Sequence, residues 1–264
     1  MTTQTPGQSA LQFQRQLGLR RYETAFGILH KLRAGMVRPE RDTIGSKYPV
    51  EVDECFVGGE TRGEGRGTHH KALVIGAVEL RTRKDGEDNS TKKIDAHSGG
   101  IPTKRKVYAG RLRLQMIPDR GAAPLLSFIR SNVATGATVL SDGWNGYGGL
   151  SQLGYDHRPL VLAGDPEKAE AHLPMIHLIF SNLKTWLLGT HHGRIDPRHL
   201  QAYLNEFVFR FNRRFCPMTA FNSVPGLAAR SVSPTYSELY SGAWGHPASG
   251  AKVLNGAEPG RIPR

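Results

Sequence analysis

The sequence predicts an α/β domain, a mixed β-sheet flanked by helices, preceded by a small helical segment. Three observations predict it. Apolar residues recur at helical spacing over residues 11–32; from Pro49 onward the period changes to that of strands; and after residue 120 helical and extended runs alternate. A chain of 264 residues can hold one large domain and a small one.

The elements follow in order. Ser9 can cap a helix through Leu11, Phe13 and Leu17 that Gly18 ends. A second helix carries Tyr22, Ala25, Phe26, Leu29 and Leu32 on one side and Arg20, Arg21, Lys31 and Arg33 elsewhere. Two short helices joined at a glycine can form a helix-turn-helix, or simply a hairpin packed on the next domain. Arg38-Pro39-Glu40-Arg41-Asp42 breaks the helix. Strands are expected at 50–57, 71–80 and 110–117, with a long polar, mainly basic loop over 81–106. A helix over 121–133 precedes a strand reaching Ser141, and 155–162 supplies another strand. Helices follow through Ile176, Ile179, Phe180, Leu183 and Leu187 and from His199 to Arg214. The order of three strands, helix, strand, short strand and helix matches the ribonuclease H-like fold, in which the first strand is central and lies beside the fourth. The segments are thus 1–45 (helix-turn-helix-like), 48–225 (ribonuclease H-like) and 226–264, a Gly-, Pro- and Ser-containing tail expected to pack loosely.

Composition narrows the partner. Lys+Arg 35 against Asp+Glu 23 gives a formal charge of +12, the signature of a chain that binds a polyanion such as nucleic acid. The two cysteines, Cys55 and Cys216, can build neither a disulfide framework nor a zinc ribbon and are expected to be small buried or semi-buried side chains. No apolar run reaches the roughly 18 residues of a membrane span, and the first residues lack a signal-peptide core, so a cytoplasmic protein is expected.

Two acids sit where solvation is poor. Asp53 lies within the apolar run Val50–Val57, and Asp142 follows the run 137–141. Carboxylates held side by side on strands repel unless a cation lies between them, and oxygen ligands of this kind favour Mg²⁺ or Mn²⁺ over zinc. Glu54 follows Asp53 and is expected on the opposite strand face, a poorer ligand for the same ion.

Several blocks then resemble one family: Val52-Asp53-Glu54-Cys55-Phe56-Val57-Gly58-Gly59, Ser141-Asp142-Gly143-Trp144-Asn145-Gly146-Tyr147, the run from Phe180 to Gly193, and the run from His199 to Arg214. Over residues 9–225 the chain resembles the ISXO-like insertion-sequence transposases, a branch of the DDE superfamily. The resemblance implies two-metal phosphoryl transfer that cuts double-stranded DNA at transposon ends and joins the freed 3′-hydroxyl to a target. Asp53 would bridge two Mg²⁺ (or Mn²⁺) ions about 3.5–4 Å apart, and Asp142 would hold one of them. A DDE enzyme usually adds a glutamate on the following helix, two turns before a Lys or Arg. Here His177 stands seven residues before Lys184 and 35 after Asp142, where no glutamate occurs. Asn182 is the second candidate, because this branch often replaces the glutamate by Asn, and Glu206 is a fallback. His177 and Asn182 lie about 140° apart around one helix and so are not expected to serve one ion equally.

Lys184, His191, His192, Arg210, Arg213 and Arg214 are expected to line the DNA path, with Arg20, Arg21, Lys31 and Arg33 on the helix-turn-helix-like segment. Trp144, Tyr147 and Trp186 are candidates to stack on an unpaired base. Relatives act as multimers on paired ends, so a homo-oligomer on DNA is expected. Many carry a Cys-rich zinc ribbon before the helix-turn-helix, and this sequence opens just inside that point. Two rival readings follow: a truncated, inactive DNA-binding remnant, and a ribonuclease H-like nuclease that hydrolyses DNA without joining it.

Overall fold

The computed structural model describes residues 7–37, 42–58, 71–82, 107–160, 173–192, 195–228 and 234–241. The basic loop expected after Thr82 and the final stretch from residue 242 lie outside them. None of the helices described is long and apolar enough to cross a membrane.

Five strands form one sheet: β1 (Val50–Val57), β2 (Ala72–Thr82), β3 (Val107–Ile117), β4 (Thr138–Asp142) and β5 (Asp156–Leu160), in the order β3-β2-β1-β4-β5. The first three make an antiparallel meander, while β4 and β5 join parallel to β1. The first strand is central and pairs with the fourth, as the order of elements predicted.

Alternation along the strands divides the core into two layers. Leu73, Ile75 and Ala77 of β2 and Val50 and Val52 of β1 pack with Leu125, Phe128 and Ile129 of α3 (Ala122–Asn132). The opposite face, with Val74, Val78, Leu112 and Leu114, is covered by α4 (Pro174–His191) and α5 (Pro197–Asn212) through Ile176, Ile179, Phe180, Leu183 and Leu204.

The N-terminal pair forms as its caps predict. In α1 (Ala10–Leu17) the Ser9 hydroxyl accepts from the Gln12 N–H at 3.2 Å, and Gly18 takes φ +62 to end the helix; α2 (Tyr22–Ala34) follows. Its inner face carries Phe26, Leu29, His30 and Arg33 against α5. Arg33, expected at a DNA-facing surface, is 1% exposed: its Nε donates to Glu206 Oε2 at 2.8 Å and its guanidinium covers Tyr203. Glu206 is fully buried there, which removes it as a fallback metal ligand. Both corrections have one cause, the meeting of an arginine and a carboxylate in a dry contact between α2 and α5 that neither helix shows by itself.

The tail also departs from expectation in its described part. After α6 (Pro217–Ala228), Tyr236–Ser241 forms α7, and Leu239 is buried with Ala10, Phe26 and Leu29. Tyr236 and Tyr240 meet Phe26 edge-on, so aromatic contact holds this short helix against the N-terminal pair.

Glu79 ties the start of β1 to the edge strand. Almost fully buried, it accepts from the Gly45 N–H, from Arg81 and from Arg111 at 2.8–3.1 Å. Burial pushes its carboxyl up, but these donors outweigh burial and lower it from 4.5 to about 2.

Two outcomes are expected. A folded-state carboxyl lowered in this way adds stability above about 4.5 that fades as pH falls toward about 2; Glu79→Gln should flatten that part of the acid profile in urea unfolding. Arg33→Ala leaves the buried Glu206 to Arg210 at 3.6 Å and should cost up to about 3–5 kcal/mol in the same measurement, whereas the exposed Arg20→Ala and Lys31→Ala should leave unfolding unchanged.

Candidate metal centre

β1 runs parallel to β4 with Val50 opposite Val139 and Glu51 opposite Leu140. Two residues further in that register, Asp53 meets Asp142 on the α4 side of the sheet. Parallel neighbours in register put equivalent side chains on one face, so the two acids converge without any special loop.

The helix over this face is placed by three residues. Pro174 begins α4, whose N-cap Leu173 offers no side-chain acceptor. Glu51, on the same face of β1 as Asp53, accepts instead from the N–H groups of Met175 at 2.9 Å and Ile176 at 2.8 Å. A carboxylate from the sheet thus satisfies the helix N-terminus and complements its dipole. Burial lifts the Glu51 carboxyl to about 7 against the pull of those two N–H groups. Gly76, opposite Asp53 in β2, permits the close approach: a Cβ there would lie 2.8 Å from Ile176 Cδ1 and 3.0 Å from Phe180 Cε1. One turn into α4, His177 Nε2 comes 3.0 Å from Asp53 Oδ2.

Glu54 points to the other side of β1, as alternation requires, yet it joins the cluster. Ligand atoms of Asp53, Glu54 and Asp142 lie within 4.8 Å of one another. The last paired residues of the β1–β4 ladder are Glu51 and Leu140, and beyond them the Glu54 carboxylate comes near both aspartates. Its Oε2 accepts from the Tyr147 hydroxyl at 2.5 Å and its Oε1 from Arg120 Nε at 2.5 Å. Burial raises the Glu54 carboxyl, and Tyr147 and Arg120 oppose it. Asp142 is likewise raised by burial, opposed by the Trp144 N–H, with the Asp53 charge adding to the rise.

The other expected residues separate into two groups. Asn182, Lys184, His192, Arg20, Arg21 and Lys31 are exposed, Lys184 two turns beyond His177 on the same helix. His191, Arg210, Arg213 and Arg214 are engaged in packing. His191 stacks on Tyr203, and burial lowers it to about 3. Arg210 lies 3.6 Å from Glu206 and covers Trp186, and Arg213 covers Phe209 at 3.9 Å. Arg214 donates to the Phe211 carbonyl and covers Phe211 and Phe215, and burial lowers it to about 10. Tyr147 and Trp186 are buried, whereas Trp144, beside Asp142, is 43% exposed with the Arg120 guanidinium over its ring at 4.5 Å. Cys216 is exposed rather than semi-buried, while burial pushes the Cys55 thiol up to about 12.

Glu51, Tyr147 as a carboxylate ligand, and Arg120 had no motif to announce them. Glu51 alone left a trace, its i, i+2 spacing from Asp53 on one strand face.

Glu51→Ala should leave two helix N–H groups unsatisfied, cost about 1–3 kcal/mol and loosen His177 from Asp53. Glu51→Gln keeps an acceptor. Because the folded carboxyl is raised from 4.5 to about 7, wild-type stability falls as pH climbs through that window. The advantage of Glu51→Gln should therefore grow from about pH 4.5 to 7 in urea unfolding.

The family model described as the ISXO2-like transposase domain matches residues 46–212, a span that holds every acid of the cluster together with α4 and α5. No curated protein and no solved structure matches the chain. The match leaves α1 and α2 outside and takes in the whole sheet, and by it the chain belongs to the family of ISXO2-like transposase domains.

Proposed function

We propose that this chain is an insertion-sequence transposase that cleaves double-stranded DNA and transfers the freed strand with the help of divalent metal. The observation that carries the reading is the parallel register that brings Asp53 beside Asp142, with Glu54 within 4.8 Å and His177 against Asp53.

The donor set suits Mg²⁺ or Mn²⁺. Three carboxylates supply hard oxygen ligands, and their mutual repulsion in a half-buried site is relieved by a divalent cation. Asp53, Asp142 and one of Glu54, His177 or Asn182 would hold it; the geometry favours the first two of these three, since Asn182 is exposed and five residues further along α4. Two such ions, when bound, activate a water or 3′-hydroxyl and stabilise the leaving oxygen of an in-line displacement.

The chain's own groups prepare that chemistry. His177 orients the Asp53 carboxylate, Tyr147 and Arg120 fix Glu54, and Glu51 fixes the helix that bears His177. Lys184 stands exposed on α4, where it can meet a phosphate, and the +12 charge draws the polyanion in. Arg20 and Arg21, in the turn between α1 and α2, and Lys31 on α2 are exposed and open to DNA. The working unit is a homo-oligomer on paired ends, acting in the cytoplasm.

The test is strand transfer of a labelled, pre-cut transposon-end oligonucleotide in Mg²⁺ and in Mn²⁺, with Mn²⁺ binding followed by calorimetry. Asp53→Asn and Asp142→Asn should abolish joined product and weaken Mn²⁺ binding while DNA affinity persists. Loss in His177→Ala as well would put the imidazole in the site, and retained product would turn attention to Glu54. Hydrolysis without joining would make the chain a nuclease. DNA binding without chemistry in the wild type would make it a remnant.

A further inference from the structure

Arg120 lies on the bend between β3 and α3 and touches three features of the acid cluster. Its Nε and Nη2 both turn to Glu54 Oε1, Nη2 lies 4.0 Å from Asp142 Oδ2, and the guanidinium covers the Trp144 ring at 4.5 Å. The contact with Trp144 is closed from the other side, because the indole Nε1 donates to the Arg120 carbonyl at 2.9 Å. A guanidinium held at Nε and Nη2 and covering a ring has little rotamer freedom left to lose.

That arrangement leaves donors to spare. Arginine carries five N–H donors in a planar fork, and the contact with Glu54 uses one edge of it. Nη1 makes no hydrogen bond among the described residues, and the side chain is 38% exposed. Arg120 also lines an open groove of about 870 Å³ with Phe56, Lys71 and Pro118.

We propose, resting on the transposase reading, that Arg120 contacts a DNA phosphate beside the acid cluster, held in place for that purpose by Glu54 and Trp144. A guanidinium takes phosphate oxygens through two parallel N–H donors, which an ammonium cannot reproduce. Glu54 thereby has a second use, fixing the cation that delivers the phosphate next to Asp53 and Asp142. The free edge offsets the repulsion that three carboxylates exert on an approaching DNA strand.

The experiment uses the full chain and a fluorescein-labelled duplex taken from the DNA flanking its gene, with anisotropy measured across a KCl series in Ca²⁺. Arg120→Ala should weaken binding about tenfold and lower the slope of log affinity against log salt by about one. Arg120→Lys should keep the slope, because it keeps the charge, while losing part of the affinity. The double variant Glu54→Gln/Arg120→Ala removes the stranded carboxylate and should show the same reduced slope. An unchanged slope in Arg120→Ala, or a slope restored in the double variant, would overturn the inference and leave the transposase reading in place. A wild-type chain that binds no DNA would overturn both. If Arg120→Ala unfolds, the double variant decides.

Discussion

Three carboxylates on one central strand are the constraint around which the structure is arranged. Glu51, Asp53 and Glu54 all lie on β1, and burial pushes the carboxyls of Glu51 and Glu54 up. Each has a different answer. Glu51 meets the N-terminus of α4, Glu54 meets Tyr147 and Arg120, and Asp53 meets His177. Glu51 spends one oxygen on the helix, and each Glu54 oxygen accepts from a protein donor. Asp53 and Asp142 keep oxygen atoms to spare, which is what a cation site requires.

The same logic governs the arginines. A charge of +12 suggests a surface covered with cations, yet much of the arginine sits inside contacts. Arg33 joins α2 to α5 through Glu206, Arg111 joins β3 to Glu79, and Arg214 is turned onto Phe211 and Phe215. Guanidinium is well suited to this, since its plane packs on aromatic rings while its edge donates hydrogen bonds. Among the described residues Lys31 and Lys184 stand exposed on helices, and the Arg120 side chain at the acid cluster is 38% exposed.

The two helices before the sheet show how packing and exposure can share an element. The inner face of α2 is committed to α5 and α7 through Phe26, Leu29 and Arg33. Its outer face carries Lys31 in solvent. Packing on α5 takes Arg33 away from the helix-turn-helix reading and leaves it Lys31.

Sequence alone determined the order of elements, the caps of α1, the pairing of the first strand with the fourth, and the convergence of Asp53 with Asp142. The caps follow from cap chemistry and the order of elements from periodicity, while the pairing of the first strand with the fourth came from matching that order to the ribonuclease H-like fold. His177 came from the spacing of the resembled family, whose helix carries its third residue two turns before a Lys or Arg, here Lys184. Tertiary structure decided what local patterns do not encode. Whether Arg33 meets DNA or Glu206 depends on which helix α2 lies against, and whether Glu54 reaches the aspartates depends on where the β1–β4 ladder ends. Strand alternation puts Glu54 on the face opposite Asp53, yet beyond the last β1–β4 pair its carboxylate lies within 4.8 Å of both aspartates. Charge and aromatic character are legible in sequence, but burial is a property of the neighbour, and the neighbour is fixed only by the fold.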